Sequence, residues 1–176
     1  EPPPRAGAAH STIYPYGPFP AGDGGTVMLG LQNEREWAAF CEKVLELPEL
    51  ATDERFGANF KRSANREALR QIIVERFARL SVAQVIERLE QAQIANARVN
   101  DMQGVWQHPQ LAARDAWRQV DSPAGRLPAL LPPARNSAYA PRMDAVPALG
   151  QHSTAILAEL GLSPQGIEQL QARGVI

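Results

Sequence analysis

The chain has a single cysteine, Cys41, so no intrachain disulfide can form, and a reducing, cytoplasmic setting is the simpler reading. No apolar run approaches the ~20 residues that a membrane-spanning helix needs, and no signal peptide is visible. Basic and acidic side chains nearly cancel, 18 against 19, with no block of like charge. A nucleic-acid binder would show a basic face, so neither nucleic acid nor membrane is expected as a partner. The three histidines, His10, His108 and His152, lie far apart with no paired acidic motif at ligand spacing, so no metal site is expected. Gly24-Gly25 lacks the glycine spacing and the Lys-Ser/Thr of a phosphate loop, and no G-x-S-x-G elbow occurs. The first residue is Glu1 and not Met, which agrees with a processed, trimmed or partial chain.

What is present is a run of short, well-punctuated elements. At 176 residues the chain is long enough for one real core, or for a core plus an appendage. Residues 1–12 (EPPPRAGAAHST) lack periodicity, and Pro2 to Pro4 favour an extended, polyproline-like connector. The arm from His10 to Phe19 reads as irregular. Asp23-Gly24-Gly25 is a turn signal followed by a short apolar strand, Thr26 to Leu31, in which Gly30 suggests a bulge or a close backbone approach. Asn33 with Glu36 resembles a capping box, and the helix behind it aligns Trp37, Phe40, Cys41, Val44 and Leu45 until Pro48.

Residues 51–62 read as a loop packed by Phe56 and Phe60. A second helix, over about 64–79, aligns Leu69, Ile72, Ile73, Phe77 and Leu80, and Ser81 with Gln84 caps a third that aligns Val82, Val85, Ile86 and Leu89. Ala97 to Asn100 looks extended. A short helix from Met102 to Leu111 is broken near His108-Pro109. Beyond Trp117 the texture changes: two strands, Trp117 to Asp121 and Gly125 to Leu131, then a proline-rich connection and a helix pair. In that pair Ile156, Leu157 and Leu160 are expected to face a core, with Gly161 as C-cap and Ser163-Pro164 as restart. The fold class is α+β. The expected organisation is a connector over 1–12, a small domain over 13–117, and strands with a helix pair over 118–176.

Most chemistry-bearing residues have ordinary structural duties. Asp23 suits a turn, Asp53 and Asp101 suit helix or loop starts, and Asp115, Asp121 and Asp144 stand on connections, so none is expected to be a nucleophile. Cys41 sits on the buried stripe with no basic neighbour to activate it. Arg62 and Arg66, one helical turn apart, read as a solvated helix start in preference to a phosphate site. Trp106 and Trp117 are candidates for an interdomain seam. His10, in an aperiodic arm, has the best functional claim of the histidines.

Several segments, in order, resemble the second half of the class III CoA-transferases, the formyl-CoA and carnitine-CoA transferase family. They are Tyr14-Pro-Tyr-Gly-Pro-Phe19, the Asp23-Gly24 turn, Asn33 to Trp37, Asp53 to Phe56, Arg62 with Asn65-Arg66, His108-Pro109-Gln110, Gly125 with Pro132-Pro133, and Val146 to His152. The resemblance implies an enzyme that moves CoA from an acyl-CoA to a small carboxylic acid through a carboxylate nucleophile, by way of mixed anhydrides and an enzyme-bound CoA thioester. It implies an interlocked homodimer, a doubly wound large domain on which this chain's tail docks, and CoA as substrate with no tightly bound cofactor. It also implies that the nucleophile lies in a first half absent from this sequence, leaving no catalytic residue here. Similarity of the Tyr14–Phe19 arm to members acting on dicarboxylates leans toward succinyl-, itaconyl- or citramalyl-type substrates.

The family's mobile glycine loop falls at Arg5 to Ser11, where only Gly7 of the glycine run remains and His10 is present, so its closure mechanics do not carry over. Gly7, His10, Ser11, Tyr14 and Tyr16 are the candidates for the acyl or acid pocket. Two alternatives stay open: an acyl-CoA racemase of the same fold, and a non-catalytic helical interaction module.

Overall fold

The computed structural model describes residue 5, residues 7–134 and residues 136–176. The polyproline-like stretch expected at Pro2 to Pro4 lies outside them. Two compact units result, Glu1–Asp101 and Met102–Ile176.

The first unit is built on a three-stranded antiparallel sheet ordered β1 (Tyr16–Pro20), β2 (Thr26–Gly30), β3 (Ala95–Arg98). The arm expected to be irregular therefore ends in a strand. Its two prolines, Pro18 and Pro20, hide the alternation that would have marked it, yet Gly17 and Phe19 point inward opposite Leu29 and Val27. As an edge strand β1 spends its outer carbonyls elsewhere: Tyr16 O accepts from His10 N at 2.9 Å, and Pro18 O from Arg70 Nη1 at 3.4 Å. Gly30 answers to a side chain and not to a backbone, because a Cβ there would stand 3.0 Å from the Tyr16 ring.

Helix α1 (Glu34–Ala39) opens on Asn33, whose side chain accepts from Glu36 N at 3.0 Å. Glu36 completes only part of a box, reaching Gln32 N and the Asn33 amide instead of Asn33 N. The helix runs into a π-helical turn, Phe40–Val44, closed by Leu45 N to Phe40 O at 2.9 Å. Phe40, Cys41, Val44 and Leu45 are all buried, as their spacing on one helical face indicates. Pro48 opens a 3-10 turn, Pro48–Ala51.

Between residues 51 and 62 only one of the two rings packs. Phe56 is fully buried, but Phe60 is 72% exposed on helix α2 (Asn59–Ala64), whose inward positions belong to Asn59 and Arg62. Helix α3 (Arg66–Phe77) buries Leu69, Ile73 and Phe77, and α4 (Val82–Gln91), with a complete Ser81–Gln84 capping box, buries Val82, Val85 and Leu89. With Val27 and Leu29 these faces make one core, in which the Phe77 ring meets Phe19 and Phe40 edge-on at 6.2 and 6.4 Å.

The second unit starts at Met102, ahead of the change in texture at 117. Its short helices α5 (Met102–Trp106) and α6 (Pro109–Ala113) belong with the hairpin β4 (Trp117–Val120) and β5 (Leu127–Leu130). Ala116 N bonds Leu111 O, and the Trp106 and Trp117 rings lie 4.5 Å apart, so this pair packs within the unit. His108 is the corner it was expected to be: its Nδ1 accepts from Gln110 N and caps α6. The helix pair α7 (Ser153–Glu159) and α8 (Pro164–Ala172) is present, with Ser163 capping α8. Ile156 and Leu160, expected to face a core, are instead exposed. Helix α7 is only seven residues long, and its packing partner α8 buries Ile167 alone.

A Gly30→Ala substitution is expected to cost about 1 kcal/mol, since the Tyr16 ring must move to admit the methyl. Urea unfolding of G30A, Y16A and the double variant checks this. The two effects are expected to be non-additive, as for any pair in direct contact.

Candidate functional site

The arm is held in place by α2. The Asn59 side chain acts as a stand-in peptide, accepting from Tyr14 N at 3.0 Å and donating to Thr12 O at 2.9 Å, while Ser63 Oγ donates to the same carbonyl at 3.0 Å. One turn along, Arg62 is 2% exposed. Its Nε donates to Tyr14 O at 2.9 Å, its Nη1 to Phe56 O at 3.0 Å, and its fork to both oxygens of Glu34 at 2.7 and 3.1 Å. The guanidinium also lies 4.8 Å from the centre of the Trp37 ring. Arg62 is therefore not a solvated helix start, and it is fully occupied inside the protein.

Above this anchor the arm curls on itself. His10 Nδ1 accepts from Thr12 N at 3.2 Å and Ile13 N at 3.0 Å, and its ring stacks on Tyr16 with centroids 5.2 Å apart. Two main-chain N–H groups aimed at Nδ1 require a lone pair there, so the neutral ring carries its proton on Nε2. His10 is thereby set as a donor at Nε2. Tyr14 goes the other way, into the protein. It is 5% exposed, packs against Phe19, and its hydroxyl is one of two buried polar side-chain atoms with no hydrogen-bond partner among the described residues, the other being Trp37 Nε1. Burial pushes its phenol up to about 12, against the opposing pull of Arg70 and Arg66.

A cleft of about 280 Å³ opens between the arm and α3, with Tyr14, Tyr16, Phe19, Arg66, Glu67 and Arg70 on its walls. Arg66 lies over the Tyr14 ring at 5.3 Å and Arg70 over Phe19 at 5.6 Å. A Cβ at Gly17 would come within 3.1 Å of Ala9, so glycine there lets the arm lie close against β1. Of the five expected pocket residues, Tyr14 and Tyr16 meet at this cleft, and His10 joins them through Tyr16. Gly7 and Ser11 are exposed, and a side chain at Gly7 would meet nothing within 4 Å.

Sequence reading missed Asn59, Glu67 and Arg70, and put Arg62 and Arg66 in solvent. The i, i+4 spacing of Arg66 and Arg70 was the available signal, but nothing local says that the arm crosses that face.

The aspartates keep to structural roles. Asp23 accepts from Gly25 N and Val82 N, and these N–H groups, Val82 first, hold its carboxyl below the usual range. Asp53 pairs with Arg55, Asp115 with Arg118, Asp121 with Arg126, and Asp144 with Arg142. Burial pushes the Cys41 thiol up to about 12, as suits a core side chain. No group of side chains suited to a metal ion occurs among the described residues, and no described helix is long and apolar enough to cross a membrane.

A small antiparallel sheet backed by helices, with a hydrogen-bonded arm over an arginine-walled cleft, defines an α+β unit. Residues 1–153 match the profile of CoA-transferase family III, and the chain belongs to that family. It is 31% identical to the human succinyl-CoA:glutarate CoA-transferase, over 98% of this chain and 40% of that protein. It is 29% identical to the succinyl-CoA:mesaconate CoA-transferase of Haloarcula marismortui, over 92% and 40% respectively. A CAIB/BAIF family protein from Brucella suis shares the fold with a TM-score of 0.72 at 32% identity, covering 91% of this chain and 41% of that one. The chain thus spans about two fifths of the length of the relatives it matches.

Replacing Arg62 by Met is expected to cost about 2–3 kcal/mol, because the Tyr14 and Phe56 carbonyls lose their donor inside the protein. Chemical denaturation measures it. Glu34 is more than half exposed, so Glu34→Gln should cost under about 1 kcal/mol at neutral pH. The Arg62 hydrogen bonds hold the Glu34 carboxyl below its ordinary value. Its contribution is therefore complete above the unfolded carboxylate pKa of about 4.3 and is lost as pH falls through the folded value. Stability measured from pH 7 to pH 3 should fall less steeply in Glu34→Gln.

Proposed function

We propose that this chain is the C-terminal part of a CoA-transferase that moves CoA from an acyl-CoA to a small carboxylic acid, a dicarboxylate by preference. The observation that carries the reading is the family match over residues 1–153, joined to relatives whose names specify succinyl-CoA with glutarate or mesaconate. Within it, His10, Tyr14 and Tyr16 form the small domain's wall of the acid pocket. His10 offers Nε2–H to a carboxylate or thioester oxygen, and Tyr16 holds the imidazole ring flat. Gly7 and Ser11 flank this wall on the exposed side.

The carboxylate nucleophile is assigned to the remaining three fifths of the protein. In support, Asp23, Asp53, Asp115, Asp121 and Asp144 are engaged in turns and ion pairs. The exposed Leu149, Ile156 and Leu160 are assigned to docking on the large domain of an interlocked homodimer. CoA enters as substrate and no tightly bound cofactor is assigned. A lone buried cysteine suits a reducing, cytoplasmic setting. Transfer is favoured over racemisation because the relatives are named for transfer, and because the Nδ1 lone pair of His10 is already engaged by the main chain.

In the full-length protein, His10→Ala and Tyr16→Ala are each expected to lower CoA transfer from succinyl-CoA to glutarate by about tenfold or more, the worth of one hydrogen bond to a charged group. Unchanged rates in both would remove these residues from the pocket. The 176-residue chain alone is expected to transfer no CoA, and turnover by the purified chain would place the nucleophile within it.

A further inference from the structure

The wall that the proposed pocket leaves unused is the α3 side of the cleft. Arg66 and Arg70 stand one helical turn apart, and their guanidinium groups lie over two rings of the arm and strand, Tyr14 and Phe19. Neither is committed to a carboxylate. Among the described residues no ion pair is made by either; Arg70 makes a long bond of 3.4 Å to Pro18 O and stands beside the Tyr14 hydroxyl. Each guanidinium carbon lies over a ring, Tyr14 at 5.3 Å and Phe19 at 5.6 Å, and neither fork is spent on a carboxylate. Glu67 is the one acid on the wall, so the cleft keeps a net positive charge. Tyr14 lines the cleft, and its hydroxyl, on a side chain 5% exposed, has no hydrogen-bond partner in good geometry and feels the charges of Arg70, Glu67 and Arg66. A buried hydroxyl left unpaired is costly, and native proteins satisfy nearly all such groups.

We propose that this cleft is a binding site for an anionic oxygen group, a carboxylate or a phosphate, gripped by the Arg66 and Arg70 forks and completed by a hydrogen bond from the Tyr14 hydroxyl. Paired guanidinium donors match the two oxygens of a carboxylate or the edge of a phosphate. The phenol is protonated at neutral pH, so it serves as donor. A space of about 280 Å³ takes a short acid or a single phosphate group, and not a whole CoA. The inference rests on the proposed CoA transfer only for the source of the anion, which is either the acceptor acid or a phosphate of the thioester.

The test is direct binding to the 176-residue chain at constant ionic strength, followed by amide NMR, with three probes: glutarate, inorganic phosphate, and neutral glutaramide. Saturable shifts confined to residues 14–19 and 66–70 are expected with glutarate, phosphate or both, and none with glutaramide. Response to glutarate alone assigns the cleft to the acid; response to phosphate alone assigns it to the CoA phosphates. Arg70→Gln should weaken binding by at least about tenfold, the loss of a charge-assisted pair. Tyr14→Phe should weaken it several-fold, with its thermal unfolding unchanged. Arg79→Gln, just past the C-terminal end of α3 and away from the cleft, should bind as the parent does. Non-saturating shifts, an equal response to glutaramide, or equal affinity in Arg70→Gln and Arg79→Gln would overturn the site. That outcome leaves the transfer reading untouched, since the His10 and Tyr16 rates test it separately.

Discussion

A guanidinium group with almost no access to water holds the first unit's working surface together. Arg62 reaches the arm at Tyr14, the first turn of α1 at Glu34, and the loop at Phe56, and it rests on Trp37. These points come from three separate stretches of the sequence. Without a shared donor the arm would present bare carbonyls to an apolar core. A lysine would supply the charge but not the planar fork that reaches a carboxylate and two carbonyls at once. Because Glu34 is partly solvated and Arg62 is not, the pair gives more geometric definition than energy.

Everything nearer the surface inherits its position from that anchor. Asn59 sits one turn before Arg62 and fixes the arm's main chain, which in turn sets the two N–H groups that face His10. The tautomer of a surface histidine is thus decided by a helix two layers below it. Tyr14 and Tyr16 alternate along the same backbone, so one ring enters the core wall while the other stacks under the imidazole.

The helices and the central strand were legible because their apolar periodicity is intact. Trp37 to Leu45, Leu69 to Phe77 and Val82 to Leu89 all bury the residues their spacing indicates. Strand β1 was not legible, since Pro18 and Pro20 replace alternating residues that signal a strand and Pro15 stands just before it. Arg62 and Phe60 exchanged their expected places. One-dimensional pattern ranks an arginine as exposed and a phenylalanine as buried, and only the arrival of Glu34, Tyr14 and Phe56 from elsewhere reverses it. The family was legible from ordered short motifs, yet the α3 wall of the cleft was not, because its charge acquires meaning only when the arm crosses it. Ile156 and Leu160 misled for a related reason: helical spacing reports an apolar face, not what covers it.

The outer edge of β1 carries a further consequence. Its outward carbonyls are taken by His10 and Arg70, and Pro18 has no N–H to offer. A foreign strand therefore finds few donors or acceptors along that side, and growth of the sheet there is discouraged without any covering layer. Templated association is restricted to the far side, at the four-residue β3. The prolines that obscured the strand in the sequence, Pro18 and Pro20, remove N–H donors from its edge in the fold.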